Sequence, residues 1–344
     1  MEINYQGKWN LSMMGEFCWM LLRDIPEAKS WPVVRDRPGV PTGTVEQVLW
    51  KPSQTHTSSK SFDCPRPLSS SSRTIYTTAC YRLPLLTALR FFATGKVARA
   101  AGVARLPTTR TRTVVGHVSS TLVNELKDHF LDFPDTQQQE TFKADFQEIG
   151  QLVNVIGCIN SIPIPLAGFL GMELGVGNQQ YGQRLLKLLV VCGPQGQITS
   201  LMVQPYAEGD WQTFRDSCLL DALQNDEYDG YVLANLNFPP RRYFLIPIAN
   251  PANWMDELFN FAHFTTLQVS NHALNLLTAR FPCLVAAMDG IYPSNLNVVA
   301  ACAILHNLCL KLSVPAPPGN PNAHPINLPF QNRAQPPRSH CREE

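Results

Sequence analysis

The amino-acid sequence predicts a mixed α/β domain preceded by a basic helical module. Two observations carry that prediction. Between residues 153 and 312, short apolar runs of strand length are interleaved with longer runs of helical period. Ahead of them, no acidic residue occurs between Asp63 and Glu125, while apolar residues recur at helical spacing.

Residues 1–72 lack a clean period and are punctuated by Trp31-Pro32, Pro41-Thr42-Gly43 and the serines at 69 to 72, so they read as irregular, with one helix near residues 11–22. A basic module over 73–130 follows. Within it, Leu85, Leu86, Leu89 and Phe92 share a helical face over residues 83–95, and Gly95 supplies a stop. A short Ala-rich segment at 96–101 leads to a turn at Gly102, and Thr108 is placed to cap a helix with Val114, Val115, Val118, Leu122 and Leu126 on its inner face. This order is that of a helix-turn-helix, with Arg110 and Arg112 in the first turn of the second helix, the part that meets DNA in such modules. There they oppose the helix dipole unless an anion compensates them. Together with Lys96, Arg99 and Arg105, and behind Arg66, Arg73, Arg82 and Arg90, they form a positive field suited to a phosphate backbone. Charge alone fits a solvated helical face equally well; the helical pattern favours DNA.

In the domain over 131–312, residues 153–159 form a buried-strand candidate, and 185–192 with 198–204, joined by Gly193-Pro194-Gln195-Gly196, predict a hairpin. A helix over 211–223 comes next, then strands at 231–234 and 243–248, and helices over 254–284 and 296–312. Residues 313–344 are rich in Pro and Asn and read as a disordered tail.

Composition bounds the function class. A hydrophobic content of 44% suits a soluble core, and no apolar stretch approaches the roughly 18 uncharged residues of a membrane span. Glu2 and Glu16 argue against a signal peptide, which points to an intracellular chain. Ten cysteines without any Cys-x-x-Cys pair read as reduced, mostly buried thiols. Asn10-Leu11-Ser12 matches a glycosylation acceptor, to which an intracellular chain gives no weight.

Five ordered segments together resemble a known nuclease family. VIGCINSIPIP at 155–165 resembles the first catalytic strand, where an Asp ends an apolar run; here Asn160 stands at that place. YVLANLNFPPRRYFLIP at 231–247 resembles the second segment, with Ala234-Asn235 in place of Gly-Asp. FNFAHFTTLQVSNHALNLLTARFPCL at 259–284 resembles the helix whose Glu lies eight residues beyond an Ala-His pair; that place is Asn271. ACAILHNLCL at 301–310 and LPLLTALRFFATG at 83–95 resemble the C-terminal and N-terminal helices. These segments resemble the Harbinger transposase family, whose DDE nucleases cut DNA with metal ions, and the resemblance implies an RNase H-like mixed sheet flanked by helices, which the order of strands and helices supports in part independently. It also implies a divalent metal cofactor (Mg²⁺ or Mn²⁺), DNA as substrate, a Myb-like DNA-binding partner protein and a location in the nucleus, with the cytoplasm also open.

The substitutions at Asn160, Asn235 and Asn271, the catalytic and metal-binding positions by resemblance, set the central question. Two divalent ions about 4 Å apart repel by roughly 4 kcal/mol even in water, and a carboxylate cluster offsets this while neutral amides do not. Further departures surround the site: Pro163 replaces a family His, Gln179-Gln180 a basic pair, and the segment after Gly209 aligns as shortened by two residues. A nuclease homologue without its metal site, acting through DNA or protein binding, is therefore the leading expectation. The rivals are an active hydrolase using displaced carboxylates and a decayed copy without selected function. Glu173, Asp210, Asp216, Asp226, Glu227, Asp229 and Glu257 are the carboxylates to weigh, each expected as a solvated surface charge. Cys302, His306 and Cys309 share one helical face, and His263 and His272 lie near the third segment; core and surface roles are expected of all five.

Overall fold

The computed structural model describes residues 83–167, 184–205, 209–286, 288–289 and 294–317. The expectations for residues 1–72, for the first part of the basic module over 73–82 with Arg73 and Arg82, for Glu173 and Gln179-Gln180, and for the tail beyond residue 317 lie outside the described residues.

Helix α1, over 83–92, ends where the sequence places its stop: Gly95 takes a left-handed φ of 63°, and a Cβ there would come within 2.6 Å of the Ala286 Cβ. Helix α2 (Val97–Ala104) runs through Gly102, contrary to the expected turn. The chain turns at Arg105 instead, whose φ of 51° ends the helix. Two residues then lead to α3 (Thr108–Phe130), which begins without a side-chain cap: Pro107 holds the cap position and Thr108 is the first helical residue. Val115, Val118, Leu122 and Leu126 are buried as the period requires, with Val114 half-buried.

Asp135 and Gln138 form a reciprocal capping box at the start of α4 (Thr136–Gly150). The strands follow as β1 (Val155–Ala167), β2 (Arg184–Cys192) and β3 (Ile198–Pro205), the last two forming the expected hairpin. The single helix expected over 211–223 is two, α5 (Asp210–Arg215) and α6 (Cys218–Gln224), because the Ser217 hydroxyl caps a new helix start by accepting from the Leu220 N–H. Strands β4 (Tyr231–Leu233) and β5 (Phe244–Leu245) precede α7 (Trp254–Arg280), which Pro282 ends in a short 3-10 turn. A two-residue β6 (Met288–Asp289) and α8 (Ser294–Lys311) complete the order.

The sheet order is β3-β2-β1-β4-β5, with β1, β2 and β3 antiparallel, β4 and β5 parallel to β1, and β6 paired to the far end of β1. This mixed sheet flanked by helices, with a helical module before it, is an RNase H-like arrangement. Strand β1 extends well beyond the expected 153–159, passing through Pro163 and Pro165. Prolines two apart face the same edge, and β4 pairs with β1 only as far as Cys158, so their missing N–H groups break no ladder there.

One core cluster joins α1, α2 and α3 to one sheet face through Ile162, Ile164, Leu188 and Val190 and to α7 and α8. Asn307 on α8 ties this layer to the sheet, accepting from the Ile198 N–H at 2.8 Å and donating to the Ile198 carbonyl at 2.7 Å and to the Phe130 carbonyl. The opposite face packs on α5 and α6 through an aromatic group that includes Phe214, Phe238 and Phe244. Helices α4 and α7 meet closely at Gly150, where a Cβ would lie 2.0 Å from the Thr266 hydroxyl oxygen.

Candidate functional site

Asn160 lies in the middle of β1, where the pleat sends its side chain to the face that carries Ile162 and sends Ser161 to the other. Its amide Nδ2 donates to Asn271 Oδ1 at 2.7 Å and to Ser270 Oγ at 3.2 Å, both on α7. Its Oδ1 accepts from the Ser161 N–H at 2.8 Å. Asn253 fixes the start of α7 by accepting from the Met255 and Asp256 N–H groups, and that registry brings Asn271 opposite β1. Asn271 in turn donates to Gln268 Oε1.

Asn235 follows β4 and joins the same network from the other side of β1. Its Oδ1 accepts from the Asn237 N–H, an Asx turn that holds the loop, and its Nδ2 donates to Asp210 Oδ2 at 3.3 Å. Asp210 Oδ1 accepts from Ser161 Oγ at 2.8 Å and pairs with Lys187 Nζ at 3.2 Å. Two of the asparagines therefore touch directly, and the third reaches them through Asp210 and Ser161.

Asp210 departs from its expected role as a solvated charge. It is 8% exposed, because α5 begins at Gly209 against β2 and β3 and turns the carboxylate inward. Lys187, which sequence reasoning did not single out, is 5% exposed on β2. The signal was present in LLKLLVVC: a lysine within a strand buried on both faces must find a counter-charge. The other described carboxylates follow the expectation in part. Asp226, Glu227 and Glu257 are exposed, Asp229 is exposed but pairs with Lys143 at 2.8 Å, and Asp216 is half-buried.

Lys96, Arg99, Arg105, Arg110 and Arg112 are all exposed on α2, the turn and the first turn of α3, so the positive field faces solvent and is not absorbed by the core. The histidines take core and surface roles. His263 is buried with Nε2 3.0 Å from the Leu245 carbonyl, and burial holds its pKa below the usual value; His272 is exposed. His306 is buried against the Gly196 carbonyl at 3.1 Å, and burial lowers its pKa to about 4. Burial pushes the Cys309 thiol up to about 11 and Cys302 well above the ordinary thiol range, which suits inert core side chains. Among the described residues no three His, Cys, Asp or Glu side chains converge on a point that could hold a metal ion.

Residues 178–307, which carry Lys187, Asp210, Asn235 and Asn271, match the family described as DDE superfamily endonuclease. The chain is 26% identical over 236 residues to the Mus musculus protein named "Putative nuclease HARBI1", and 25% identical over 239 residues to the Xenopus laevis protein of the same name. Each match covers 66% of this chain, and the chain spans 66% of the Mus musculus protein's length and 67% of the Xenopus laevis protein's. No solved structure matches significantly. The chain thus carries a domain similar, at moderate identity, to the Harbinger-type DDE superfamily endonucleases.

Proposed function

We propose that this chain is a transposase-derived nuclease homologue that binds DNA without cutting it. The observation that carries the proposal is the donor set at the site: three neutral amides and one carboxylate that is already paired with the Lys187 ammonium. Asp210 and Lys187 together sum to zero charge, whereas two divalent ions bring four positive charges. The side chains present do not fit that pair of metals. The contacts of the network are instead internally matched, amide to amide, amide to carboxylate and ammonium to carboxylate, as a buried polar cluster must be.

Binding then falls to the exposed cations of α2 and α3. Their solvent-facing guanidinium and ammonium groups, at the start of the second helix of a helix-turn-helix-like order, suit phosphate contacts. Residence in the nucleus and association with a Myb-like DNA-binding protein are parts of the same proposal and rest on the family. The rival reading, an active hydrolase on displaced carboxylates, has Asp210 in its favour and the Lys187 pairing against it.

Supercoiled DNA incubated with the purified chain and Mg²⁺ or Mn²⁺ tests the proposal. The expected result is a shifted but intact plasmid. Metal-dependent nicking by the unmodified chain would establish the rival.

A further inference from the structure

Strand β2 carries Lys187 among apolar neighbours from Leu185 to Cys192, with both faces of the strand covered by core. Across the ladder it pairs with Pro163. Its ammonium lies 3.2 Å from the Asp210 oxygen that also accepts from Ser161 Oγ, and the second Asp210 oxygen accepts from Asn235. One carboxylate thus separates Lys187 from Asn235, and Ser161 links it onward to Asn160.

We propose that Lys187 is a resident cation that neutralises Asp210, the carboxylate bonded to this site, so that positive charge comes from the protein itself. The inference rests on the metal-free reading above and names the residue that makes it self-consistent. An ammonium carries one charge and three N–H donors on a flexible stem, so one carboxylate balances it and neutral oxygens complete its shell. Asp210 supplies that carboxylate, and Ser161 Oγ and Asn235 Nδ2 donate to the same group. The lysine also has a consequence for any restored site. With Asn235→Asp, a carboxylate would face Asp210 across a contact that is now 3.3 Å, and Lys187 would be the cation already bound to that group. Restored acids would be neutralised from within, and divalent ions would have to displace or accommodate a buried ammonium beside them.

The test is Mn²⁺ binding by calorimetry to the full chain, without reference to cleavage. Four proteins are compared: the unmodified chain; the triple variant Asn160→Asp, Asn235→Asp, Asn271→Glu; the triple variant with Lys187→Met; and the triple variant with Lys187→Arg. The expected order is no tight binding by the unmodified chain, weak binding by the triple variant, at least tenfold tighter binding with Lys187→Met added, and no gain with Lys187→Arg. Equal affinity of the triple variant with and without Lys187→Met, beside a silent unmodified chain, overturns the lysine's role and leaves the metal-free reading standing. Tight binding by the unmodified chain overturns both. If the acid-restored chains do not fold, thermal unfolding of the native background decides: Lys187→Met lowers Tm, and adding Asp210→Asn recovers at least half of the loss. A double variant no more stable than Lys187→Met alone refutes the counter-ion role.

Discussion

Replacing Asn160 by Asp changes one atom's hydrogen-bonding sense at the hub of the network, and the structure fixes what that costs. The amide Nδ2 now donates to Asn271 Oδ1 at 2.7 Å and to Ser270 Oγ at 3.2 Å, from a side chain 4% exposed. In Asn160→Asp, an anionic oxygen faces the Asn271 oxygen, both donated hydrogen bonds are lost and a charge is buried. Asn271 can flip its amide and Ser270 can rotate its hydroxyl, which returns part of the loss. An unmet buried polar group costs about 1–3 kcal/mol and a charged one more, so a net loss of about 2–4 kcal/mol follows. For a domain of this size that lowers Tm by roughly 5–15 °C. Acid distinguishes this mechanism from simple misfit. Burial raises the carboxyl's folded pKa above its unfolded value, so the penalty is present at neutral pH and fades as pH falls through the folded pKa. The protonated acid then supplies an O–H where the amide N–H had been. Thermal unfolding in chelator from pH 8 to pH 5 reads both effects as the difference between variant and parent. A variant as stable as the parent at neutral pH would refute the reasoning, because the position would then be ready for a carboxylate without metal.

Three other outcomes follow from separate parts of the molecule. Arg110→Ala with Arg112→Ala weakens DNA binding and reduces the slope of log affinity against log salt by about 2, read by fluorescence anisotropy over a salt series; an unchanged slope removes these residues from the interface. His306, held neutral with its pKa at about 4 by burial against an ordinary 6.5, contributes stability that is full above about pH 6.5 and is lost as pH falls towards 4. The loss is about 2 kcal/mol at pH 5, and His306→Gln flattens that part of the Tm–pH curve. Asn307→Leu leaves the Ile198 N–H and carbonyl and the Phe130 carbonyl without their partner, and destabilises the chain by about 2–4 kcal/mol in urea unfolding.

The sheet and the long helices were legible because their apolar periods and turn residues agree. Residues 193–196 mark the hairpin, and Gly95 marks the end of α1. The errors fall where a local signal was ambiguous. Gly102 suggested a turn, yet a glycine is tolerated inside a helix and Arg105 takes the left-handed position instead. Ser217 sits within an apolar pattern that continues on both sides, so its capping role shows only in the structure. The positions of Asn160, Asn235 and Asn271 came from resemblance to a family, and the structure brings them into one network. The burial of Asp210 and its pairing with Lys187 were hidden for a different reason: a charge pair across 23 residues of sequence leaves no periodic trace, and surface charges of the same type are far commoner. Only the oddity of a lysine inside LLKLLVVC pointed to it.

Titration of the unmodified, full-length chain with Mn²⁺ tests the central claim most directly, since it asks whether an amide-lined, internally neutralised site holds divalent metal. The account predicts no tight binding; two tightly bound Mn²⁺ ions per chain would contradict it.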